Sequence, residues 1–166
     1  DLKAIGRMSC NPAIGGLAKG QLVREIDVLG GQMGSFTDFS GIQFKTLNKS
    51  KGRSVWSPRA QVDKRLYERA VFSKVANNKN ITLLEDEIVS IVPEKKEIIQ
   101  TKTRTKTTIY GKTVIVTCGT FLSGKIHIGP RKILAGRMGE GRAEGITESL
   151  IKLGLTSGKL KTGTPP

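Results

Sequence analysis

The chain has 166 residues and 37 % hydrophobic content, the size and make-up of one globular domain able to bury a core. Two widely separated cysteines, Cys10 and Cys118, and a single histidine, His127, exclude a disulfide framework and offer no metal-type spacing. The formal net charge of +14, from 28 Lys and Arg against 14 Asp and Glu, points to an anionic partner, and no apolar run approaches a membrane span.

In chain order, the first predicted element is a helix. Asn11 suits an N-cap and Pro12 a first helical position; Ile14, Leu17, Ile26 and Leu29 form one stripe, and Gly30-Gly31 ends it. On that reading Cys10 stands directly before a helix start, where the positive pole of the dipole favours thiolate. Polar, glycine-rich residues 32–40 lead into a short strand at 41–47, followed by a basic loop at 48–53. Ser57-Pro58 repeats the N-cap signature and opens a second predicted helix to about residue 77, with Val62, Leu66, Tyr67, Ala70, Val71 and Val75 on its apolar face.

Residues 81–84 and 88–92 read as strands. The threonine-rich stretches 98–103 and 107–110 suit an exposed antiparallel hairpin. The β-branched run 113–117 has the composition of a buried parallel strand. It ends in Cys118-Gly119-Thr120, a small-residue turn of the kind that admits a ligand close to the backbone in α/β sheets. A short strand at 125–129, a glycine-punctuated loop at 135–145, a helix from near Ala143 to Leu153 and a final strand and turn at 155–164 complete the reading. The expected architecture is α/β with an antiparallel β-meander, approximately residues 81–112, inserted before the closing strand.

Nine basic residues (45, 49, 51, 53, 59, 64, 65, 69 and 74) cluster with only two acids, Asp63 and Glu68. Such clustering attracts phosphate backbones. The same stretch carries Trp56, whose ring suits stacking on a base and equally suits anchoring a core. No dinucleotide fingerprint is present: the nearest sequence, Gly139-x-Gly141-x-x-x-Gly145, has one residue too many. An aspartate at position 1 and a Thr-Pro-Pro end read as a piece of a longer polypeptide, so missing targeting signals carry little weight.

Several segments together resemble one family. They are Met-Ser-Cys-Asn-Pro-Ala-Ile-Gly-Gly at 8–16, Gly-Ile-Gln-Phe at 41–44, Leu-Asn-Lys-Ser-Lys-Gly at 47–52, Ser-Pro-Arg-Ala-Gln at 57–61, Gly-Thr-Phe-Leu-x-Gly-Lys-Ile-His-Ile-Gly at 119–129, Gly-Arg-Met-Gly at 136–139 and Leu-Lys-Thr-Gly-Thr-Pro-Pro at 160–166. The chain is similar from end to end to MnmG, also called GidA, the flavoproteins that modify the wobble uridine of certain transfer RNAs. The resemblance implies a partial Rossmann-like FAD-binding domain of glutathione-reductase type. The glycine-rich FAD unit of the family would lie upstream, and its nicotinamide-binding insertion and helical C-terminal domain would lie elsewhere. It implies FAD as cofactor, NADH and methylenetetrahydrofolate as co-substrates, and an MnmE-type GTPase as partner. The implied reaction adds an aminomethyl or carboxymethylaminomethyl group to C5 of uridine 34 of tRNA. A homodimer is implied for the full-length protein, cytoplasmic in a bacterium or mitochondrial in a eukaryote.

On the same basis Cys10 is the candidate catalytic thiol, the alternative being a small thiol packed under the flavin. Asn11, Gly15 and Gly16 are expected to shape the cap over the isoalloxazine ring. Thr117, Gly119 and Thr120 match a flavin-contacting turn, Ile88 a backbone contact to the adenine end, and Ala143 a further flavin contact. Around Ala143 the sequence departs from a proline-containing loop of many relatives. Lys49, Lys51 and Arg53 are the candidate phosphate contacts, and Arg59 reaches flavin or RNA. Cys118 reads as structural, and His127, between Ile126 and Ile128, as a structural histidine. Two rival functions stay open: a folate/FAD-dependent tRNA uridine methyltransferase of the same fold, and a non-catalytic basic RNA-binding module.

Overall fold

The computed structural model describes residues 1–8, 11–94, 97–136 and 139–161. Cys10 therefore lies outside the described residues, as does the end of the expected final strand and turn. The chain forms two compact units, Asp1–Glu85 and Asp86–Pro166.

In the first unit, β1 (Ala13–Gly15), β3 (Ser57–Val62) and β2 (Gly41–Leu47) form an antiparallel sheet in the order β1-β3-β2. Three helices accompany it: α1 (Lys19–Val28), α2 (Met33–Ser40) and α3 (Lys64–Ala76). The core is small. Met8, Val62 and Tyr67 are buried together, with Ile14, Phe36 and Val71 packed against them and the Phe36 and Tyr67 rings meeting edge to face at 6.1 Å.

Both N-cap readings move. Residues 13–15, expected inside the first helix, are extended and pair with β3, while Pro12 accepts from Val62 N at 2.8 Å and Gly16 donates to Pro58 O at 2.8 Å. Gly15 and Gly16 hold φ of +87° and +98°, outside any right-handed helix. The helix begins at Lys19 instead, with Ala18 at φ +60° and no side-chain cap. No α-helix start directly follows Cys10 in sequence, so no helix dipole there favours its thiolate.

Ser57-Pro58 likewise opens β3, the central strand, rather than a helix. Pro58 is tolerated close to the strand's beginning, and the Ser57 hydroxyl donates to the Gly16 carbonyl. The actual cap is Asp63, whose carboxylate accepts from Leu66 N at 2.8 Å at the head of α3. In each case tertiary pairing outweighs the local capping signature. Residues 33–40, expected as a polar lead-in, form α2; Thr37 and Ser40 fold their hydroxyls back onto the carbonyls of Met33 and Phe36 at 2.6 Å.

In the second unit, β4 (Ile88–Pro93), β5 (Ile99–Thr103) and β6 (Thr108–Gly111) make an antiparallel meander in sequential order. The hairpin expected from the threonine pattern is present, while residues 81–84 form no strand. A two-stranded hairpin, β7 (Ile126–Ile128) and β8 (Arg131–Ile133), and α4 (Ile146–Lys152) follow.

The parallel strand expected at 113–117 is absent, and Ile115 is 83 % exposed. A parallel strand needs a neighbour on its edge, and the described residues supply none. The only parallel pairing among them is the single bridge between Leu122 and Ala143. No strand forms over 155–161 either, and His127 is exposed rather than enclosed. No helix of the described residues is long and apolar enough to cross a membrane.

Candidate functional site

In the first unit two of the four basic candidates, Lys49 and Arg59, line one groove of about 980 Å³. Its walls come from β1, α1, α2 and the β2–β3 ladder, and include Gly15, Arg24, Lys45, Lys49 and Arg59 beside Asp27 and Asp38. Register explains the convergence. Arg59 on the central strand lies opposite Gly15 on one side and opposite Lys45 on the other. Directly opposed residues share a face, so Arg59 and Lys45 set two like charges side by side. Neither forms an ion pair among the described residues. Such a juxtaposition is unfavourable alone and is relieved by an anion. Of the other groove cations, Lys45 belongs to the basic cluster read from the sequence without being chosen as a phosphate contact, and Arg24 carries no signal there.

The loop after β2 carries the other cations. It makes two 3₁₀ turns, Lys49–Lys51 and Arg53–Val55, hinged at Asn48 and Gly52, whose φ values are +59° and +96°. Trp56 closes it: its indole Nε1 donates to Lys49 O at 3.2 Å, and the Arg53 guanidinium lies 5.8 Å from the ring centroid. Trp56 is 40 % exposed and is no core anchor.

The glycines of β1 differ in their constraints. A Cβ on Gly15 would stand 2.3 Å from the Pro58 carbonyl oxygen, so this residue admits the neighbouring strand. A Cβ on Gly16 would meet nothing within 4 Å. Gly16 is nevertheless buried, its N–H held by Pro58 O and its carbonyl by the Ser57 hydroxyl and Gly20 N, and its φ of +98° favours glycine. Asn11, also expected at this cap, is exposed.

The second unit holds the remaining candidates. Gly119, at φ +59°, faces open space, with Thr117 and Thr120 exposed on either side and Cys118 half-buried. The chain then turns through a Phe121 N to Cys118 O bond of 3.4 Å. Ala143 is tied to this turn from both sides: its N–H donates to Phe121 O at 3.0 Å, and its carbonyl accepts from Ser123 N at 2.9 Å. Its backbone N–H and C=O are thereby used internally, and the residue is half-buried.

Ile88 opens β4 opposite Thr103. Beside it, Gly145 at φ +93° passes Val89 so closely that a Cβ would stand 2.2 Å from the Val89 carbonyl oxygen. The Glu87 carboxylate joins the two strips, accepting from Arg104 Nε at 2.9 Å and from Glu144 N at 3.3 Å. The Arg104 hydrogen bond, above all, holds its carboxyl below the usual range. The adjacent Asp86 is lowered to about 2, chiefly by the hydroxyls of Thr105 and Thr103. Ile88, Gly119, Thr120 and Ala143 are thus brought onto neighbouring strips of one unit. Gly145, the third glycine of the imperfect fingerprint, caps a short helix packed on β4.

Gly119 passes one test for a flat or pyrophosphate-bearing ligand, being exposed where a Cβ would meet nothing within 4 Å, whereas Gly16 is buried with its N–H and C=O already paired. Among the described residues, no group of three or more His, Cys, Asp or Glu is placed to hold a metal ion.

Comparison with known proteins bears on the whole chain. The family model described as glucose inhibited division protein A matches residues 1–166. The chain is 48 % identical over 165 residues to the tRNA uridine 5-carboxymethylaminomethyl modification enzyme MnmG of Flavobacterium psychrophilum, covering 99 % of this chain and 26 % of that protein. It is 50 % identical over 167 residues to the MnmG of Chlorobaculum tepidum, covering 100 % of this chain and 27 % of the relative. The crystal structure of Aquifex aeolicus GidA superposes with a TM-score of 0.83 at 45 % identity, over 92 % of this chain and 25 % of that one. The chain therefore spans about a quarter of the length of the relatives it matches. Its fold, mixed α/β with antiparallel sheets, is that of the corresponding part of GidA, and the chain belongs to the glucose-inhibited division protein A (GidA/MnmG) family.

Proposed function

We propose that this chain is part of the FAD-binding domain of an enzyme that modifies C5 of the wobble uridine, position 34, of tRNA. The observation that carries the reading is family membership over all 166 residues, joined to the cationic groove that Arg59, Lys45 and Lys49 line. In this reading Asn11, Gly15 and Gly16 cap the flavin ring. Thr117, Gly119, Thr120, Ile88 and Ala143 provide further contacts. Lys49, Lys51, Arg53 and Arg59 hold RNA phosphates by charge-assisted hydrogen bonds.

Bound FAD supplies the redox chemistry, with NADH as reductant and methylenetetrahydrofolate as one-carbon donor. The chain's own contribution is nucleophilic and positional. C5 of uridine is a weak nucleophile until a group adds at C6. Cys10 as thiolate forms an S–C6 bond, and the displaced π pair gives C5 the electron density to attack the one-carbon unit. Loss of the C5 proton and departure of the thiolate restore the ring. The arginines and lysines fix the strand so that the target base is presented in register.

The full-length enzyme works in this reading as a homodimer with an MnmE-type GTPase, in the cytoplasm of a bacterium or the mitochondrion of a eukaryote. The test is purification of the full-length protein followed by a flavin absorbance spectrum and nucleoside mass spectrometry of tRNA treated with it. Flavin-loaded protein that installs the C5 substituent supports the proposal. A colourless protein that still binds tRNA favours the RNA-binding module, and simple C5 methylation favours the methyltransferase.

A further inference from the structure

We infer that Trp56 is a stacking platform for an unpaired base of the RNA, set within the cations that hold the flanking phosphates. The inference rests on the RNA-binding reading above and deepens it by naming the group that takes the base. Hydrogen bonds within the loop 48–56 tie it to itself. Lys51 N donates to Asn48 O at 2.9 Å, Trp56 N to Arg53 O at 3.2 Å, and the Asn48 side chain to Val55 O at 3.4 Å.

The indole is fixed within this frame. Its one polar hydrogen is already donated to Lys49 O, and the residue is 40 % exposed, so a base would meet apolar π surface on the ring face that Arg53 does not cover. Arg53 lies over the ring and is available to a phosphate, while Lys49 and Lys51 stand on the adjoining turn. A large aromatic with its hydrogen bond satisfied, its rotation restricted and cations around it matches the arrangement that binds single-stranded nucleic acid: bases stack and the backbone is tracked by charge. The ordering cost falls before the ligand arrives. An acidic peptide would use the cations but gain little from the ring.

The test uses the full-length protein, with a short oligouridylate, tRNA and polyglutamate as probes. Trp56→Ala is expected to weaken oligouridylate and tRNA binding roughly tenfold or more at constant salt, without changing the slope of log K against log salt. Trp56→Phe, which keeps a ring but loses the hydrogen bond to Lys49, is expected to retain most of the affinity. The fluorescence that distinguishes wild type from Trp56→Phe is expected to be quenched by oligouridylate.

Unchanged RNA affinity in a folded Trp56→Ala protein overturns the inference and leaves the RNA reading intact. Equal losses in Trp56→Ala and Trp56→Phe also overturn it, since loop geometry would then be the cause. Equal dependence of polyglutamate binding on Trp56 assigns the surface to acidic peptide instead. Wild-type protein that binds no RNA removes both the RNA reading and the platform.

Discussion

Gly15 runs so close to Pro58 that its missing side chain is what lets β1 dock on β3: a Cβ there would stand 2.3 Å from the Pro58 carbonyl oxygen. Gly15→Ala combines that clash with a φ of +87°, and is expected to cost about 2 kcal/mol or more in stability. Gly16→Ala, next along the chain, meets no atom within 4 Å and carries conformational strain alone. Thermal melts of the two variants should rank them in that order. Equal stability would remove close strand approach as the reason for Gly15.

The caps of the first unit make a second, discriminating pair. Asp63→Ala removes the acceptor for Leu66 N and is expected to cost roughly 0.5–2 kcal/mol, seen as faster amide exchange in the first turn of α3. Ser57→Ala leaves the Gly16 carbonyl with its remaining donor, Gly20 N at 2.9 Å. Its expected cost is therefore about 0.5–1.5 kcal/mol, with exchange at the head of α3 unaltered.

Charge in the loop after β2 is expected to govern RNA affinity. Changing Lys49, Lys51 and Arg53 together to Ala should weaken tRNA binding and flatten the salt slope by about 0.7–0.9 for each phosphate that is no longer neutralised. Filter binding across a salt series measures both quantities. A weaker complex with the original slope would detach these cations from the phosphates.

Acid sensitivity of the meander follows from Asp86. Its carboxyl is held at about 2 against an ordinary 3.8, so the folded unit resists protonation that the unfolded chain accepts. The stabilisation is complete above the ordinary value and fades as pH falls from there toward 2. Glu87, lowered by Arg104, acts in the same sense. Asp86→Asn should blunt the acid limb of a pH titration of stability followed by amide exchange in β4 and β5. An unchanged limb would separate the Thr105 contact from acid stability.

Legibility in the sequence follows the range of the interactions involved. The threonine alternation at 98–103 and 107–110, which folds as strands 99–103 and 108–111, is read from the chain because the hairpin partners are adjacent and one face is solvated. The strand at 41–47 is equally plain. Residues 13–15 and 57–62 each follow or begin with a fair N-cap signature, whereas their true partners are each other across more than forty positions. No local pattern reports such a pairing. The run 113–117 has the composition of a buried strand, yet no described neighbour pairs with it, and composition alone does not supply an edge.

The candidate site is legible to a similar degree. The cations of the loop are visible as a cluster, but the opposition of Arg59 to Lys45 and Gly15 is a matter of register. The dipole argument for Cys10 depends on a helix start that in fact lies at Lys19. What stays with Cys10 is its place in the family's motif.

Cys10 is accordingly where the account is most directly tested. In the full-length enzyme, Cys10→Ala should retain bound flavin, by its visible absorbance, and still bind tRNA. It should lose all or nearly all formation of the C5-modified uridine, measured by nucleoside mass spectrometry. Wild-type levels of modified uridine from a flavin-loaded Cys10→Ala protein would contradict the account and reduce the thiol to packing.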